Sequence, residues 1–230
     1  MHEFITNSSY FCVFITLAAY CIGLTLQKKF KHVLVNPLLI AIIITASLLL
    51  IIDIEYVTYK ANTTLISLLL TPATVCLAIP LYEQFEMLKK NWLAVLCGIV
   101  SGILCCLLSV LFFATVFKVD HATYVTLLPK SITTAIGIGV TEELGGYVPI
   151  TVAAIILSGI LGNMFAPLFC KLCRIKHPVA KGIAIGTSSH AIGTAKALEM
   201  GEIEGAMSSL SIVIAGLCTV IGAPIFATIL

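Results

Sequence analysis

Long apolar runs separated by short polar stretches make up most of this sequence. Each run approaches the ~20 residues that a helix needs to cross the hydrocarbon core of a bilayer. This pattern predicts a polytopic membrane protein built from helices. The predicted spans are residues 10–26, 33–52, 92–117, 147–170 and 206–230.

Three further apolar segments, 62–82, 120–146 and 182–199, are interrupted by proline, glycine or serine. Irregular backbone at membrane depth is tolerated only where protein covers it or where it lines a water-filled cavity. These segments therefore predict broken or re-entrant helices around a cavity. The residues expected to break them are Pro72, Pro80, Pro129, Gly137 and Gly139.

Basic residues in the loops predict the orientation of the spans. Loops rich in lysine and arginine face the cytoplasm, and two such loops follow the first span and residue 170. Five apolar segments lie between these loops, although two loops on the same side require an even number of crossings. At least one of the five segments is therefore expected not to cross singly. The basic residues are Lys28, Lys29 and Lys31, then Lys171, Arg174, Lys176 and Lys181.

The hydropathy pattern repeats in two halves, residues 1–118 and 119–230. The basic loop follows the first element of one half and the second element of the other, as an inverted-topology repeat would produce. Corresponding interrupted segments in such repeats are the best sequence indication of a transporter's binding site. Here these segments are residues 71–80 and 187–196.

Composition supports the membrane assignment. Hydrophobic residues make up 60% of the 230 positions, charged residues only 10%, and the mean hydropathy is +1.12. Soluble domains usually carry about 25% charged residues. The net charge of +2 comes with no block of like charge, which argues against a nucleic-acid partner. We therefore expect an all-α membrane bundle in contact with the lipid bilayer.

Ionisable residues within apolar segments indicate function, because each costs at least about 2.5–3.5 kcal/mol on insertion scales. Lys130, His190 and Lys196 are the strongest cases. Ser188 and Ser189 are suited to cap a half-helix whose first N–H groups attract an anion. A small carboxylate anion is the expected ligand. The candidate substrate-binding residues are Lys130, Ser131, Thr133, Thr134, His190, Thr194, Lys196, Thr71 and Thr74.

Structural interpretations of the same residues remain open. Lys196 and Glu199 are three residues apart and would pair where a helix leaves the membrane. His190 would equally fit a buried histidine that is hydrogen-bonded to a carbonyl. Thr141 with the two following glutamates resembles a helix N-cap, and glycine or serine pairs four residues apart favour tight helix packing. The pairs are Gly98–Gly102, Ser158–Gly162 and Gly182–Gly186.

We expect no catalytic residue, metal or cofactor. Ser189 and His190 are neighbours, but no third residue is spaced to complete a hydrolase triad. Cys170, Cys173 and His177 provide too few ligands for zinc, which usually has four. The other seven cysteines, including Cys106, lie in apolar runs and are expected to pack as small hydrophobes.

Four stretches resemble the CidB/LrgB family of bacterial membrane proteins, and the resemblance covers nearly the whole chain. They are "LLLTPATVCLAIPLYEQ", "LLPKSITTAIGIGVTEELGG", "VAAIILSGILGN" and "KGIAIGTSSHAIGTAKALE". Two positions depart from the family pattern. Ala135 stands where the family has a proline after paired threonines, and Lys181 stands where it has an arginine.

The resemblance implies a multi-pass protein of the bacterial plasma membrane that acts beside a small holin-like partner of the CidA/LrgA type. It implies modulation of murein hydrolases and autolysis, and kinship with plastid glycolate/glycerate translocators and with bacterial pyruvate uptake. Two functions therefore stay open: a secondary carrier of small monocarboxylates, and a non-transporting regulator of the holin-like partner. A homo-oligomer is also expected.

Overall fold

The computed structural model describes residues 8–30, 35–76 and 78–230. Within these ranges the chain is helical, with no strand. The predicted fold class, an all-α membrane bundle, is confirmed.

Contacts divide the chain into two compact units, Met1–Cys76 and Leu77–Leu230. This boundary falls well before the division between residues 118 and 119 that the hydropathy repeat predicts. The inverted repeat therefore stays a prediction, and the two units are described separately.

The first unit begins with two helices that pack against each other, α1 (Ser9–Phe30) and α2 (Pro37–Ile52). Asn36 starts α2, because its side-chain oxygen accepts hydrogen bonds from two backbone N–H groups of the first turn, at 2.9 and 3.2 Å. Helix α2 ends at Asp53, whose φ of 59° is left-handed. Three short helices follow: α3 (Tyr56–Asn62), α4 (Thr64–Leu68) and α5 (Leu70–Cys76).

The second unit is a bundle in which α11 packs along α12 and against α10, while α7 contacts both α11 and α12. Its core includes the fully buried side chains of Ile99, Leu107, Tyr124 and Met207. The helices are α6 (Ala78–Glu83), α7 (Phe85–Phe117), α8 (His121–Leu127), α9 (Thr134–Glu143), α10 (Val148–Leu172), α11 (Pro178–Met200) and α12 (Glu202–Ala227).

Glycines allow α11 and α12 to approach closely. A Cβ added to Gly182 would lie 2.5 Å from the backbone oxygen of Glu204, and one at Gly186 would collide with that of Ser208. Small residues four apart bring membrane helices into such contact. The tight packing predicted for this pair is confirmed.

Four helices are long and apolar enough to cross a membrane, and they confirm four of the five predicted spans: Ser9–Phe30, Trp92–Phe117, Val148–Leu172 and Glu202–Ala227. The fifth predicted span, 33–52, stays a prediction, because its helix passes the same test only together with the helix α3 that follows it. Residues 33 and 34 lie outside the described ranges, and α2 has only 16 residues, bent by 119° relative to α3. A helix of that length spans about 24 Å, less than the ~30 Å hydrocarbon core.

The bent pair α2–α3 is compatible either with one broken span or with a re-entrant hairpin. Two of the span-length helices, in α7 and α10, lie between the two basic loops. Two is an even number, as required when both loops face the cytoplasm. The α2–α3 pair would then return to the side from which it entered.

The segment 62–82 is interrupted, but its two prolines lie inside helices. Pro72 is the third residue of α5, and Pro80 is the third residue of α6. A proline in the first turn removes no intrahelical hydrogen bond, so Pro72 is compatible with a helix start at Leu70. The break expected at Pro72 therefore lies slightly earlier, at Leu69, between α4 and α5. Residue 77, before α6, lies outside the described ranges.

The segment 120–146 is interrupted between α8 and α9, at residues 128–133, and Pro129 lies in this turn. Gly137 and Gly139 do not break the chain as expected, because both lie inside α9. The helical cost of glycine, about 1 kcal/mol relative to alanine, is offset at Gly137 by a close approach. A Cβ there would lie 2.5 Å from the Ile155 side chain.

Thr141 and the two following glutamates lie in the last turns of α9 and do not cap a new helix. The Thr141 hydroxyl donates to the carbonyl of Gly137 at 2.8 Å and lies 2.8 Å from the Thr151 hydroxyl of α10. Thr141 thus ties α9 to α10 through buried hydroxyl groups.

Candidate functional site at two helix interruptions

Helix α11 is interrupted at His190, within the segment 187–196 that the sequence predicts to be broken. The His190 backbone has φ 42° and ψ −142°. A left-handed φ favours glycine and costs other residues about 1–3 kcal/mol. The break divides α11 into two half-helices, residues 178–189 and 191–200.

The imidazole of His190 connects this break to α10. Its Nε2 atom lies 2.9 Å from the carbonyl oxygen of Ile155, and the residue is only 3% exposed. A carbonyl accepts only, so Nε2 carries the hydrogen in this bond. His190 therefore has the contact expected of a buried histidine bonded to a carbonyl.

Carbonyl groups at the break receive side-chain partners from within α11 and from α10. The side-chain amide of Asn163, in α10, donates to the carbonyl of Ile192 at 2.8 Å. The Thr194 hydroxyl donates to the carbonyl of His190 at 2.9 Å and lies 2.7 Å from the hydroxyl of Ser208, in α12. Buried backbone groups require such partners, so neighbouring helices stabilise the interruption.

Two glycines of α10 make room for the break. A Cβ added to Gly159 would lie 2.7 Å from Cε1 of His190, and a Cβ on Gly162 would overlap the Ser189 hydroxyl. The packing indicated by the Ser158–Gly162 spacing therefore coincides with the interruption of α11.

The second interruption, at residues 128–133, places a lysine beside a thiol and a hydroxyl. The Nζ atom of Lys130 lies 3.3 Å from Sγ of Cys106 and 3.4 Å from Oγ of Ser131. Cys106 and Ser131 are themselves 3.0 Å apart. Within the described ranges, no carboxylate forms an ion pair with Lys130, so its ammonium group is a candidate ligand for an anion.

One small cavity is lined by residues at the 128–133 interruption and by a residue close to the His190 interruption. Ser131 comes from the 128–133 turn, and Thr187 lies one helical turn before His190. Cys106 of α7 and Thr219 of α12 complete its polar lining. The cavity has a volume of about 10 Å³, roughly enough for one water molecule. The 128–133 turn and the helical turn that precedes the His190 break therefore both border this cavity, which in this structure is closed to anything larger than about one water molecule.

The sequence profile of one protein family matches residues 16–229, almost the whole chain. The chain belongs to the LrgB-like family. This confirms the resemblance seen in the sequence motifs. Membership of the LrgB-like family and the four span-length helices together identify a multi-pass protein of the bacterial membrane. The LrgB-like family is not a family of enzymes.

Curated relatives support the same assignment. The antiholin-like protein LrgB of Bacillus cereus (strain B4264) and that of Bacillus anthracis (strain A0248) are each 38% identical to this chain over 222 residues. The alignment covers 96% of both chains in each case. No solved structure matches the chain.

The residues predicted to bind substrate in this LrgB-like protein lie in separate places. Ser131 lines the closed cavity, and Lys130 lies beside it, with its Nζ atom 3.4 Å from the Ser131 hydroxyl. Thr133 and Thr134 follow at the start of α9, where Thr133 occupies the N-cap position without a side-chain capping bond. Thr194 lies at the α11 break with His190.

Lys196 and two threonines of the first unit lie elsewhere. Lys196 forms an ion pair of 2.7 Å with Glu199, as their spacing predicts. Thr71 is exposed in the first unit. The side chains of Thr74 and Pro80 lie outside the described part of the chain.

Four polar residues of the site were not selected from the sequence: Asn163, Cys106, Thr187 and Thr219. The sequence could have indicated Asn163, because an amide inside an otherwise apolar run needs a hydrogen-bond partner. It could not have indicated Cys106, because a thiol in an apolar run usually packs as a small hydrophobe. Thr187 and Thr219 are ordinary helix-surface residues until their neighbours are known.

Proposed function

We propose that this LrgB-like protein is a secondary carrier of small monocarboxylates such as pyruvate, lactate or glycolate. The observation that carries this proposal is one cavity lined both by Ser131, from the 128–133 interruption, and by Thr187, one helical turn before the His190 interruption. Interrupted helices that meet within a membrane bundle are a common construction of transporter binding sites.

The chemistry of the centre favours an anion. Lys130 contributes a positive charge without a carboxylate partner among the described residues. Ser131 and Thr219 supply hydroxyl groups that can donate to carboxylate oxygens. The Thr187 hydroxyl donates to the carbonyl of Ile183 at 2.8 Å in this structure and would have to rotate to do the same. Lys196, by contrast, is already paired with Glu199, so we assign the substrate's charge to Lys130.

Transport requires the cavity to enlarge. A volume of about 10 Å³ holds roughly one water and no organic anion. The strained backbone of His190 provides a hinge about which the first half of α11, carrying Thr187, can move. Helix interruptions absorb such changes in domain and helix movements.

The second candidate function is a non-transporting regulator. The relatives are named antiholin-like, which favours action through a small holin-like membrane partner and, through it, on murein hydrolases and autolysis. The two functions are compatible if carboxylate flux controls autolysis.

Uptake of labelled pyruvate, lactate and glycolate into liposomes tests the carrier. The purified protein is reconstituted with and without its small partner. We expect saturable uptake that falls at least tenfold in Lys130→Ala and is partly retained in Lys130→Arg, because arginine keeps the charge.

Lys196→Ala is the matched lysine control and should keep most of the uptake, since that ammonium is paired with Glu199. Equal uptake by Lys130→Ala and the wild type would remove Lys130 from the site. Absence of uptake in every condition, with folded protein, would favour the regulator.

A further inference from the structure

Five residues of α7 lie four apart and form one oblique row on the helix surface. Each of them lines a cavity within the second unit. The row consists of Gly98, Gly102, Cys106, Val110 and Ala114.

Three cavities follow one another along this row. The first, about 680 Å³, is bordered by Gly98, Gly102 and the first half of α11. The second is the closed centre of about 10 Å³ at Cys106. The third, about 320 Å³, is bordered by Val110, Ala114 and Lys130.

Thr187 separates the first cavity from the second, because it lines both. It contacts the row at Gly102, where an added Cβ would lie only 3.0 Å from the Thr187 hydroxyl. Thr187 therefore lies at the boundary between the two cavities.

Lys130 separates the second cavity from the third. It lines the third cavity, while Cys106 and Ser131 line the second. Lys130 contacts Cys106 and Ser131 at 3.3 and 3.4 Å and therefore lies at the boundary between the two cavities.

The three cavities together extend over a membrane-sized distance. Their outermost α7 residues are Ala94 and Phe117, and a helix of that separation rises about 35 Å. The first cavity is bordered by His177, beside the basic loop expected in the cytoplasm. No acidic side chain lines any of the three cavities among the described residues.

We propose that the three cavities form one anion path along the α7 row, closed in this structure by two gates, Thr187 and Lys130. Each gate lies at one interruption: Thr187 precedes the His190 break, and Lys130 lies in the 128–133 turn. The path rests on the carrier function proposed above and assigns a separate role to each interruption.

Cysteine labelling with an anionic, membrane-impermeant methanethiosulfonate tests the path. Single cysteines are placed in full-length protein whose other cysteines have been replaced. Gly98→Cys reports on the first cavity, the native Cys106 on the centre, and Ala114→Cys on the third cavity. Leu108→Cys, on an exposed part of α7 outside the row, is the control.

We expect Gly98→Cys to be labelled from the cytoplasmic side and Ala114→Cys from the opposite side, each at least tenfold faster than Leu108→Cys. Cys106 should react slowly. Thr187→Ala should accelerate its labelling from the cytoplasmic side, and Lys130→Ala from the other side.

Labelling of Gly98→Cys and Ala114→Cys from the same side, or at the rate of Leu108→Cys, would overturn the path. If Gly98→Cys fails to fold, Ala94→Cys reports on the first cavity in its place. If Ala114→Cys fails to fold, Phe117→Cys reports on the third cavity.

Labelling does not depend on transport, so the experiments can contradict the carrier function and the anion path separately. Uptake by the wild type with an unreactive row would remove the path and leave the carrier. A labelled, two-gated row without uptake of any monocarboxylate would remove the carrier function and leave an anion-accessible path.

Discussion

The Nε2 atom of His190 lies 2.9 Å from the carbonyl oxygen of Ile155, and the backbone of His190 holds the left-handed φ of 42° that interrupts α11. One residue therefore both breaks its helix and anchors the break to α10. The imidazole bond helps to maintain a backbone conformation that costs about 1–3 kcal/mol.

At position 190, a glycine variant should be more stable than an alanine variant, which is the reverse of the order in a regular helix. In a regular helix, glycine is less stable than alanine by about 1 kcal/mol. At His190 both substitutions lose the imidazole bond, but only glycine relieves the left-handed backbone. We expect His190→Gly to unfold at a higher temperature in detergent than His190→Ala, by the equivalent of about 1 kcal/mol.

Ala195, an exposed position in the second half of α11, provides the control. Ala195→Gly should destabilise the protein in the ordinary way, by up to about 1 kcal/mol. If His190→Ala proved more stable than His190→Gly, the backbone at His190 would not be left-handed.

The glycines beside and away from the break should respond differently to alanine. A Cβ at Gly162 would overlap the Ser189 hydroxyl, whereas a Cβ at Gly139 would have no neighbour within 4 Å. We expect Gly162→Ala to lower the thermal stability by about 1–3 kcal/mol through overpacking. Gly139→Ala should leave it unchanged or raise it by up to about 1 kcal/mol.

The Gly139→Ala variant also tests whether the chain is helical at Gly139. If Gly139→Ala destabilised the protein strongly, Gly139 would be a helix break after all, and its place inside α9 would be incorrect.

The sequence predicted that α11 is broken but could not locate the break at one residue. Glycines occur on both sides of His190 in α11, and Gly186 or Gly193 would satisfy local propensity better. The choice depends on the carbonyl of Ile155 and on Gly159, which belong to another helix. Local propensity also misled at Gly139, because tertiary packing keeps a glycine-containing segment helical.

The sequence predicted that lysines in apolar segments contribute to the site, but not which lysine is free of a carboxylate partner among the described residues. Lys130 and Lys196 give the same signal in the sequence, a lysine in an apolar segment. Only the tertiary partners separate them, since Lys196 pairs with Glu199 while Lys130 contacts Cys106. Contacts between residues distant in the chain are not encoded in hydropathy periodicity.

Asp120, in the loop after α7, should make stability depend on pH. Its carboxylate accepts hydrogen bonds from the hydroxyl of Thr123 at 2.7 Å and from the Thr123 backbone N–H at 3.0 Å. These bonds favour the charged form and lower the pKa of Asp120 below its usual value. The stabilisation is present above the unfolded-state pKa of about 3.9 and is lost as the pH falls through the lower folded-state pKa.

The comparison of wild type with Asp120→Asn isolates this effect. Asparagine still caps α8 but does not titrate in this range. Between pH of about 6 and about 3, the melting temperature of the wild type should fall relative to that of Asp120→Asn. A constant difference between the two proteins would show that Asp120 makes no pH-dependent contribution.

The ion pair between Lys181 and Glu204 connects the first turns of α11 and α12. Its atoms are 3.4 Å apart, and the Lys181 and Glu204 side chains are 25% and 10% exposed. Removal of the lysine leaves a carboxylate with little access to water, whereas removal of the carboxylate leaves an ammonium that can still reach solvent. We therefore expect Lys181→Ala to destabilise the protein by about 1–3 kcal/mol, and Glu204→Gln by less.

A double-mutant cycle tests this asymmetry. The combined Lys181→Ala and Glu204→Gln variant should be more stable than the sum of the single losses implies, because no unpaired charge remains. Lys181→Arg, which restores the residue of the family pattern, should keep the wild-type melting temperature or raise it, since a guanidinium can bind a carboxylate with two parallel hydrogen bonds. Strictly additive losses, or a Lys181→Arg variant as unstable as Lys181→Ala, would mean that the two side chains contribute independently and that other contacts, such as the close glycine packing, hold α11 against α12.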